Sequence, residues 1–167
     1  VIDIYQVHHP DPKTPIEVTA ETLQNLLSRR LIRRIGVCNF TLDQINQFGK
    51  HAELSVVQDR FNLLEPSALN LLLPTCREKH IDFIAYSPLE HGILTGKYLM
   101  NGKRPDGLLR RKNIHLDDVH KNETLSLLEK WTIIAAEEGK TLAQYAIHWV
   151  MSQPGVSCTL VGCRNPE

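Results

Sequence analysis

Short apolar runs rich in β-branched residues alternate along this chain with segments of helical periodicity. The runs predict β-strands at residues 1–7, 33–38, 55–58, 81–86 and 157–161. The periodicity between them predicts helices at 20–30, 41–49, 67–79, 119–138 and 141–152. The predicted N-caps of three of these helices are Thr19, Thr41 and Thr141. Parallel strands need crossover connections of this kind, so the alternation predicts an α/β protein with a parallel sheet.

Polar or aromatic side chains stand where the first four predicted strands end. These residues are His8, Asn39, Gln58 and Tyr86. In a (β/α) barrel the carboxyl ends of the strands converge on one face, and the active site lies there. We therefore expect these four side chains to be neighbours in space and to form one site.

The length of the chain conflicts with a closed barrel. It has 167 residues, whereas a (β/α)8 barrel takes roughly 250. The sequence starts at Val1 within a predicted strand and stops at Glu167 soon after the last one. We expect a partial (β/α)8 TIM barrel, which is a single domain over residues 1–167 that is truncated at both ends.

The composition argues against several classes of partner and of cellular location. Lys and Arg together number 19, as do Asp and Glu, so the net charge gives no attraction to nucleic acid or to an anionic membrane. No apolar run approaches the ~20 residues of a membrane span. The four cysteines lack C-x-x-C spacing and are too few for a disulfide scaffold, so we expect a cytoplasmic protein. No metal site is expected.

Each strand-end residue has a functional and a structural interpretation. His8 suits proton relay or carbonyl polarisation, although a single histidine is more often only hydrogen-bonded. Asn39 and Gln58 each offer an amide donor and acceptor for a carboxamide ligand, or else serve as a loop cap and a strand terminus. Tyr86 can stack on a flat ring or pack as a core aromatic. Taken one at a time, these residues leave both interpretations open.

The segment after the fourth strand is the most specific part of the sequence. Gly92 and Gly96 allow backbone N–H groups to approach an anion, and Lys97 adds a positive charge. The alternative is a plain turn with a solvated lysine. Basic residues at 103–104 and 110–112 could clamp a phosphate or form a solvated loop surface. We expect residues 87–118 to be a long irregular stretch with a functional role.

Five strings of the sequence can be taken together, in chain order. They are Y-Q-V-H-H-P-D at 5–11, R-I-G-V-C-N-F at 34–40, V-Q-D-R-F-N-L-L at 57–64, A-Y-S-P-L-E-H-G-I-L-T-G-K at 85–97 and V-G-C-R-N at 161–165. Together they resemble the aldo-keto reductases, whose motifs include G-V-S-N-F, Q-x-x-Y-N, Y-S-P-L-x-x-G-x-L-x-G-K and P-G-A-R-N. The resemblance covers essentially the whole chain and favours the functional interpretation of each strand-end residue.

The resemblance implies strands four to eight of a (β/α)8 barrel that binds NADP(H) and reduces small aldehydes or ketones. It implies that His8 orients the substrate carbonyl, that Asn39 and Gln58 hold the nicotinamide carboxamide, and that Tyr86 stacks on the nicotinamide ring. It assigns the pyrophosphate to the loop after Tyr86 and the adenosine phosphate to the last string. The implied cofactor residues are Cys38, Asn39, Gln58, Tyr86, Ser87, Pro88, Leu89, Gly92, Leu94, Lys97, Gly162 and Arg164.

The sequence departs from the family pattern at three points. Cys38 stands where Ser is usual, and His9 stands where Trp is common. The Asp, Tyr and Lys of the family's catalytic tetrad lie on strands that precede these motifs, and Tyr5, Tyr98 and Tyr145 do not match the proton-donating Tyr. We therefore expect the 167-residue chain alone to be inactive. The alternative function is a non-catalytic, NADP(H)-binding regulatory subunit, since the loop string resembles the branch related to potassium-channel β subunits.

Overall fold

The computed structural model describes residues 1–97, 115 and 120–162. Within these residues five strands form one parallel sheet, and the strands follow one another in chain order across it. The strands are β1 (Ile2–Val7), β2 (Ile32–Cys38), β3 (Leu54–Arg60), β4 (Asp82–Tyr86) and β5 (Val156–Leu160). This arrangement confirms the predicted α/β fold with a parallel sheet.

Helices or short 3₁₀ turns cross over between successive strands. The helices are α1 (Ile16–Ser28), α2 (Leu42–Phe48), α3 (Leu72–Glu78), α4 (Lys121–Glu137) and α5 (Leu142–Ser152), and the 3₁₀ turns cover Ser67–Leu69 and Glu90–Thr95. The predicted N-caps of α2 and α5 are confirmed, because Thr41 pairs with Gln44, and Thr141 with Gln144, in reciprocal capping boxes. These caps satisfy backbone N–H groups that would otherwise be unpaired at the helix start.

Several predicted elements have different bounds in the structure, and proline explains where two of the helices start. The first helix starts at Ile16 after Pro15, so Thr19 lies in the first turn and is not the cap. The predicted helix 67–79 is broken because Pro74 is tolerated only in the first turn, which puts the start of α3 at Leu72. Strand β3 continues two residues beyond Gln58, to Arg60.

The main core lies between one face of the sheet and the helices. Alternate strand residues point to this face, among them Val37, Val57 and Phe83. The helices bury Leu23, Ile45, Phe48, Leu73, Cys76 and Val150 against them. A second apolar cluster packs the turn after β4 against α4 and α5, and it consists of Ile93, Leu94, Leu128, Leu142 and Ala146. The second cluster therefore anchors the loop after β4 at the carboxyl edge of the sheet.

Three further features of the described residues are their lack of a membrane-spanning helix, their lack of a metal-ligating cluster and the state of their cysteines. None of the helices among them has the length and apolar character to cross a bilayer. Over the same residues, no three His, Cys, Asp or Glu side chains are grouped closely enough to hold a metal ion. Cys38 and Cys76 are buried free thiols, whereas Cys158 is an exposed one.

Candidate functional site

The four residues predicted to converge lie at the carboxyl edge of neighbouring strands. His8 directly follows β1, Asn39 follows β2, Gln58 lies two residues before the end of β3, and Tyr86 ends β4. Cys38 is opposite Gln58 in the sheet register, and Arg60 is opposite Tyr86. The register therefore places these positions along one edge of the sheet.

The side chain of Asn39 joins the ends of three strands. Its Nδ2 donates to the carbonyl oxygen of His8 at 3.0 Å and to the sulfur of Cys38 at 3.2 Å. Its Oδ1 accepts a hydrogen bond from the hydroxyl of Tyr86 at 2.7 Å. The Asn39 backbone N–H donates to the carbonyl oxygen of Gln58 at 3.2 Å. Asn39 has φ of +61°, in the left-handed region that Asn tolerates better than most residues.

Cys38 connects Gln58 to the same cluster. The Nε2 of Gln58 donates to the sulfur of Cys38 at 3.4 Å, and the Cys38 side chain is almost fully buried. Gln58 itself is half-buried and keeps capacity for a further hydrogen bond. The residues Cys38, Asn39, Gln58 and Tyr86, with the carbonyl of His8, therefore form one hydrogen-bonded group, which we call the amide cluster.

The amide cluster is held in an uncharged state. Burial raises the pKa of the Cys38 thiol, and the nearby carboxylate of Asp59 raises it further, against the lowering effect of the Gln58 hydrogen bond. Burial and the charge of Asp59 also raise the pKa of the Tyr86 hydroxyl. Both groups therefore stay protonated at neutral pH, and the amides of Asn39 and Gln58 do not titrate. An uncharged set of donors and acceptors suits an uncharged amide ligand.

The two histidines after β1 lie close together. Neighbouring residues of a strand point to opposite faces, but His8 and His9 lie beyond the strand in a bend, and their ring centroids are 4.4 Å apart. The His9 Nε2 atom lies 3.4 Å from the Asn39 Nδ2 atom, whereas His8 contacts Asn39 through its carbonyl. Both histidines are exposed, so both imidazoles are accessible from solvent.

The loop after β4 contains several residues of the predicted pyrophosphate site. Ser87 and Leu89 are half-buried, whereas Pro88 is buried. The N–H groups of Gly92 and Leu94 both donate to the carbonyl of Leu89, at 2.8 and 3.2 Å. The side chain of Leu94 is fully buried in the second apolar cluster. Only the Ser87 hydroxyl and backbone groups therefore remain on these residues for an anion.

The glycines of this loop have a conformational role. Gly92 and Gly96 have φ of +90° and +76°, values that favour glycine. The Gly96 N–H donates to the carbonyl of Ile93 at 3.2 Å. Both glycine N–H groups are therefore used inside the turn, and any anion contact at this loop depends on other groups.

Three residues of the site had no role in the sequence interpretation. Glu90 is fully buried at the turn after β4, and its carboxylate accepts hydrogen bonds from Arg60 and Asn62. Asn62 is fully buried as well. A glutamate within an otherwise apolar and glycine-rich motif was a signal of this contact, but its arginine partner lies 30 residues away along the chain.

The remaining predicted residues make no hydrogen bond to the amide cluster that the structure records, or they lie outside the described residues. Lys97 is exposed at the end of the loop, and Gly162 is exposed just after β5. Arg164 and the basic residues at 103–104 and 110–112 lie outside the described residues. Whether these residues contact a phosphate therefore stays a prediction.

Comparisons with known proteins agree with this fold. The sequence profile of the Aldo/keto reductase family matches residues 1–167. The chain is 35% identical over 166 residues to aldo-keto reductase YhdN of Bacillus subtilis, covering 99% of this chain and 50% of that protein. It is 33% identical over 174 residues to the NADH-specific methylglyoxal reductase of Escherichia coli, covering 99% of this chain and 51% of that protein.

A solved structure has the same architecture. The glycerol dehydrogenase AKR11B4 from Gluconobacter oxydans superposes with a TM-score of 0.86 and 32% identity, over 95% of this chain and 48% of that one. The chain therefore spans about half the length of the relatives that it matches. Its sheet and helices correspond to part of a barrel in that structure.

Proposed function

We propose, from the premise that this chain belongs to the aldo/keto reductase family, that it forms the cofactor-binding part of an enzyme that reduces small aldehydes or ketones. The observation that carries the proposal is the amide cluster, in which Asn39 connects three strand ends through uncharged donors and acceptors. The names of the relatives support the reaction class. We also propose that residues 1–167 belong to one barrel domain of a cytoplasmic protein.

The residues of the cluster fit the nicotinamide end of the cofactor. The amides of Asn39 and Gln58 can each donate to and accept from a carboxamide, exchanging the hydrogen bonds that they now make within the protein. The ring of Tyr86 offers a flat face, and its hydroxyl keeps Asn39 oriented. Because its pKa is raised, the Cys38 thiol stays uncharged at this end of the site.

The chemistry divides between the cofactor and the protein. When bound, the nicotinamide supplies a hydride to the carbonyl carbon of the substrate. His8, exposed beside the amide cluster, would orient and polarise the carbonyl oxygen. Because no residue of this chain matches the family's proton-donating tyrosine, we propose that the 167-residue chain alone does not turn over substrate.

The preferred cofactor is NADP(H) in this proposal. The basic residue Arg164 supports it, since an arginine can pair with a 2′-phosphate. One relative is named as NADH-specific, so the preference has to be measured on this protein. The loop after β4, with the exposed Lys97 at its end, would meet the pyrophosphate.

The test uses the full protein that carries this chain. Oxidation of NADPH and of NADH is followed in the presence of a small aldehyde such as methylglyoxal. We expect turnover with a lower KM for NADPH, and a loss of about tenfold or more in kcat for His8→Ala. His51→Ala is the matched control, because His51 is another surface histidine and lies against Glu21 on the helical side.

The outcome also separates the proposed enzyme from the alternative. Binding of NADPH without turnover of any aldehyde or ketone would favour the regulatory subunit. Absence of binding for both nucleotides would overturn the proposal. Equal kcat for His8→Ala and the wild type would remove His8 from the reaction.

A further inference from the structure

The loop after β4 has a backbone conformation that L-amino acids rarely adopt. Ser87, Glu90 and His91 have φ of +55°, +45° and +52°, and Gly92 follows with +90°. Left-handed conformations are unfavourable for residues with a Cβ atom. They persist where the surrounding structure determines them, and they cluster at ligand sites. The loop therefore needs specific contacts that hold it in this shape.

A buried carboxylate provides those contacts. Glu90 is 0% exposed, and its Oε2 accepts from the Nε of Arg60 at 2.9 Å and from the Nδ2 of Asn62 at 2.8 Å. Its Oε1 accepts from a terminal nitrogen of the same guanidinium. A two-point arginine–carboxylate contact fixes both groups in orientation as well as in distance. Glu90, the residue with one of the unfavourable φ values, is thus tied to the end of β3.

Asn62 extends the same connection to the start of the loop. Its Nδ2 also donates to the carbonyl of Ser87 at 3.0 Å. Its Oδ1 accepts from the N–H groups of Leu64 and Glu65 at 2.9 and 3.0 Å. One buried amide therefore holds the loop, the carboxylate and the turn after β3 together. We call Arg60, Asn62 and Glu90 the carboxylate network.

We propose that the carboxylate network consists of positioning residues that hold the loop at 87–96 in the conformation that binds the diphosphate of a nicotinamide dinucleotide. The inference rests on the proposed function, because the ligand is that of the same site. Ser87 is half-buried, and among the described residues no hydrogen bond to its hydroxyl is recorded, so this hydroxyl would be the side-chain group offered to the anion. The network acts through the backbone and does not itself touch the anion.

The negative charge of Glu90 allows a positioning role to be distinguished from a purely electrostatic one. A carboxylate near a bound anion repels it, so neutralising Glu90 alone would strengthen anion binding if only charge mattered. The described partners of the carboxylate are all donors, so Glu90→Gln places an N–H group against a donor in either orientation of the amide. If the network positions the loop, Glu90→Gln weakens anion binding although the site becomes more positive.

The experiment measures binding to the full protein that carries this chain. The probes are ADP-ribose and 2′-phospho-ADP-ribose, which lack the nicotinamide, and their affinity is measured by isothermal titration calorimetry. We expect Glu90→Gln to weaken the better-bound probe by about tenfold, which is the order of one or two lost hydrogen bonds. Unchanged or tighter binding would overturn the proposal.

A matched variant separates positioning from general loss of stability. Asp82→Asn removes the carboxylate of another arginine pair in this sheet, because Asp82 accepts from Arg34 and from Ser157. Asp82 begins β4, at the opposite edge from the loop. We expect Asp82→Asn to lower the melting temperature and to leave probe affinity within about twofold of the wild type. Equal weakening by both variants would overturn the proposal.

A second network variant covers the case in which Glu90→Gln does not fold. Arg60→Lys keeps the charge and loses the two-point contact, so it should weaken the probe in the same direction by a smaller factor. Unchanged affinity for Arg60→Lys would also overturn the proposal. Wild-type protein that binds neither NADPH nor NADH would instead overturn the proposed function, whereas wild-type binding with unaffected variants would overturn only the positioning role.

Discussion

Two polar groups lie side by side at the carboxyl edge of the sheet, and they differ in charge and burial. The amide cluster is uncharged, and Asn39, Gln58 and Tyr86 are only half-buried. The carboxylate network contains an ion pair, and Glu90 and Asn62 are fully buried. Each group holds a residue with positive φ, Asn39 in the first and Glu90 in the second.

The difference in charge and burial indicates that the two groups have different roles. Hydrogen bonds of half-buried amides can be exchanged for bonds to a ligand at small net cost, because water already competes for them. The ion pair of the fully buried Glu90 with the partly buried Arg60 cannot be exchanged in this way, since separating the two leaves a buried charge without its counter-ion. The amide cluster therefore suits ligand contact, and the carboxylate network suits control of backbone shape.

The largest effect is expected when the ion pair is broken. Arg60→Met leaves the buried Glu90 carboxylate without its main partner and should lower the free energy of unfolding by about 3 kcal/mol. Arg33→Met is the matched control, because Arg33 pairs with Asp3 at a site where both side chains are mostly exposed, and it should cost no more than about 1 kcal/mol. Urea denaturation of the full protein measures both, and equal losses would mean that burial does not distinguish the two pairs.

The apolar double variant sharpens the same comparison. Arg60→Met with Glu90→Leu removes both charges and should recover most of the stability lost in Arg60→Met, because an apolar pair avoids the desolvation of the ions. Its affinity for ADP-ribose should stay about tenfold weaker than that of the wild type, since the loop lacks its directional contacts. Recovered affinity together with recovered stability would show that any packed pair supports the loop.

A smaller effect is expected at the hydroxyl that orients Asn39. Tyr86→Phe removes the 2.7 Å hydrogen bond to Asn39 Oδ1 and keeps the ring. We expect a loss of about 1 kcal/mol in stability and a decrease in NADPH affinity of no more than about threefold. The exposed Tyr5 gives the control, since Tyr5→Phe should change neither quantity. A loss of NADPH affinity as large as that from removing Asn39 would give the hydroxyl a direct role in binding.

The smallest effect concerns the alkaline stability of the amide cluster. The pKa of the Cys38 thiol is raised, chiefly by burial, so the folded state keeps the proton at pH values where the unfolded chain has lost it. The contribution of the protonated thiol to the free energy of unfolding is therefore complete well below pH 9 and decreases as the pH rises further. Cys38→Ser, which keeps a hydrogen-bonding side chain, should lose less stability than the wild type as the pH is raised above about 9. Parallel pH profiles of the two proteins would mean that the thiol does not titrate in this range.

The sequence predicted that Asn39, Gln58 and Tyr86 would lie close together, because each stands at or near the carboxyl end of a strand. Short β-branched runs indicate the strands, and parallel strands bring their carboxyl ends together, so Asn39 and Tyr86 could be placed near each other from pattern alone. The capping boxes were equally local, since each depends on residues three positions apart. Local patterns of this kind can be recognised without knowledge of the fold.

The carboxylate network could not be predicted in the same way. The contact between Arg60 and Glu90 depends on β3 extending to Arg60, which the predicted strand end at Gln58 excluded. It also depends on left-handed φ at Glu90, which is uncommon for a residue other than Gly, Asn or Asp. The interrupted helix is a different case, because Pro74 was visible in the sequence and its position set the start of α3.

The central claim is that the amide cluster binds the nicotinamide carboxamide, and Asn39→Gly tests it most directly. Glycine adopts the φ of +61° without strain, so the variant removes the amide and leaves the backbone conformation accessible. The measurement is the affinity of the full protein for NADPH and for 2′-phospho-ADP-ribose. We predict that Asn39→Gly weakens NADPH by about 5–150-fold, equivalent to about 1–3 kcal/mol, and leaves 2′-phospho-ADP-ribose within about twofold. A lowered melting temperature with unchanged NADPH affinity, or equal weakening of both ligands, would contradict the account.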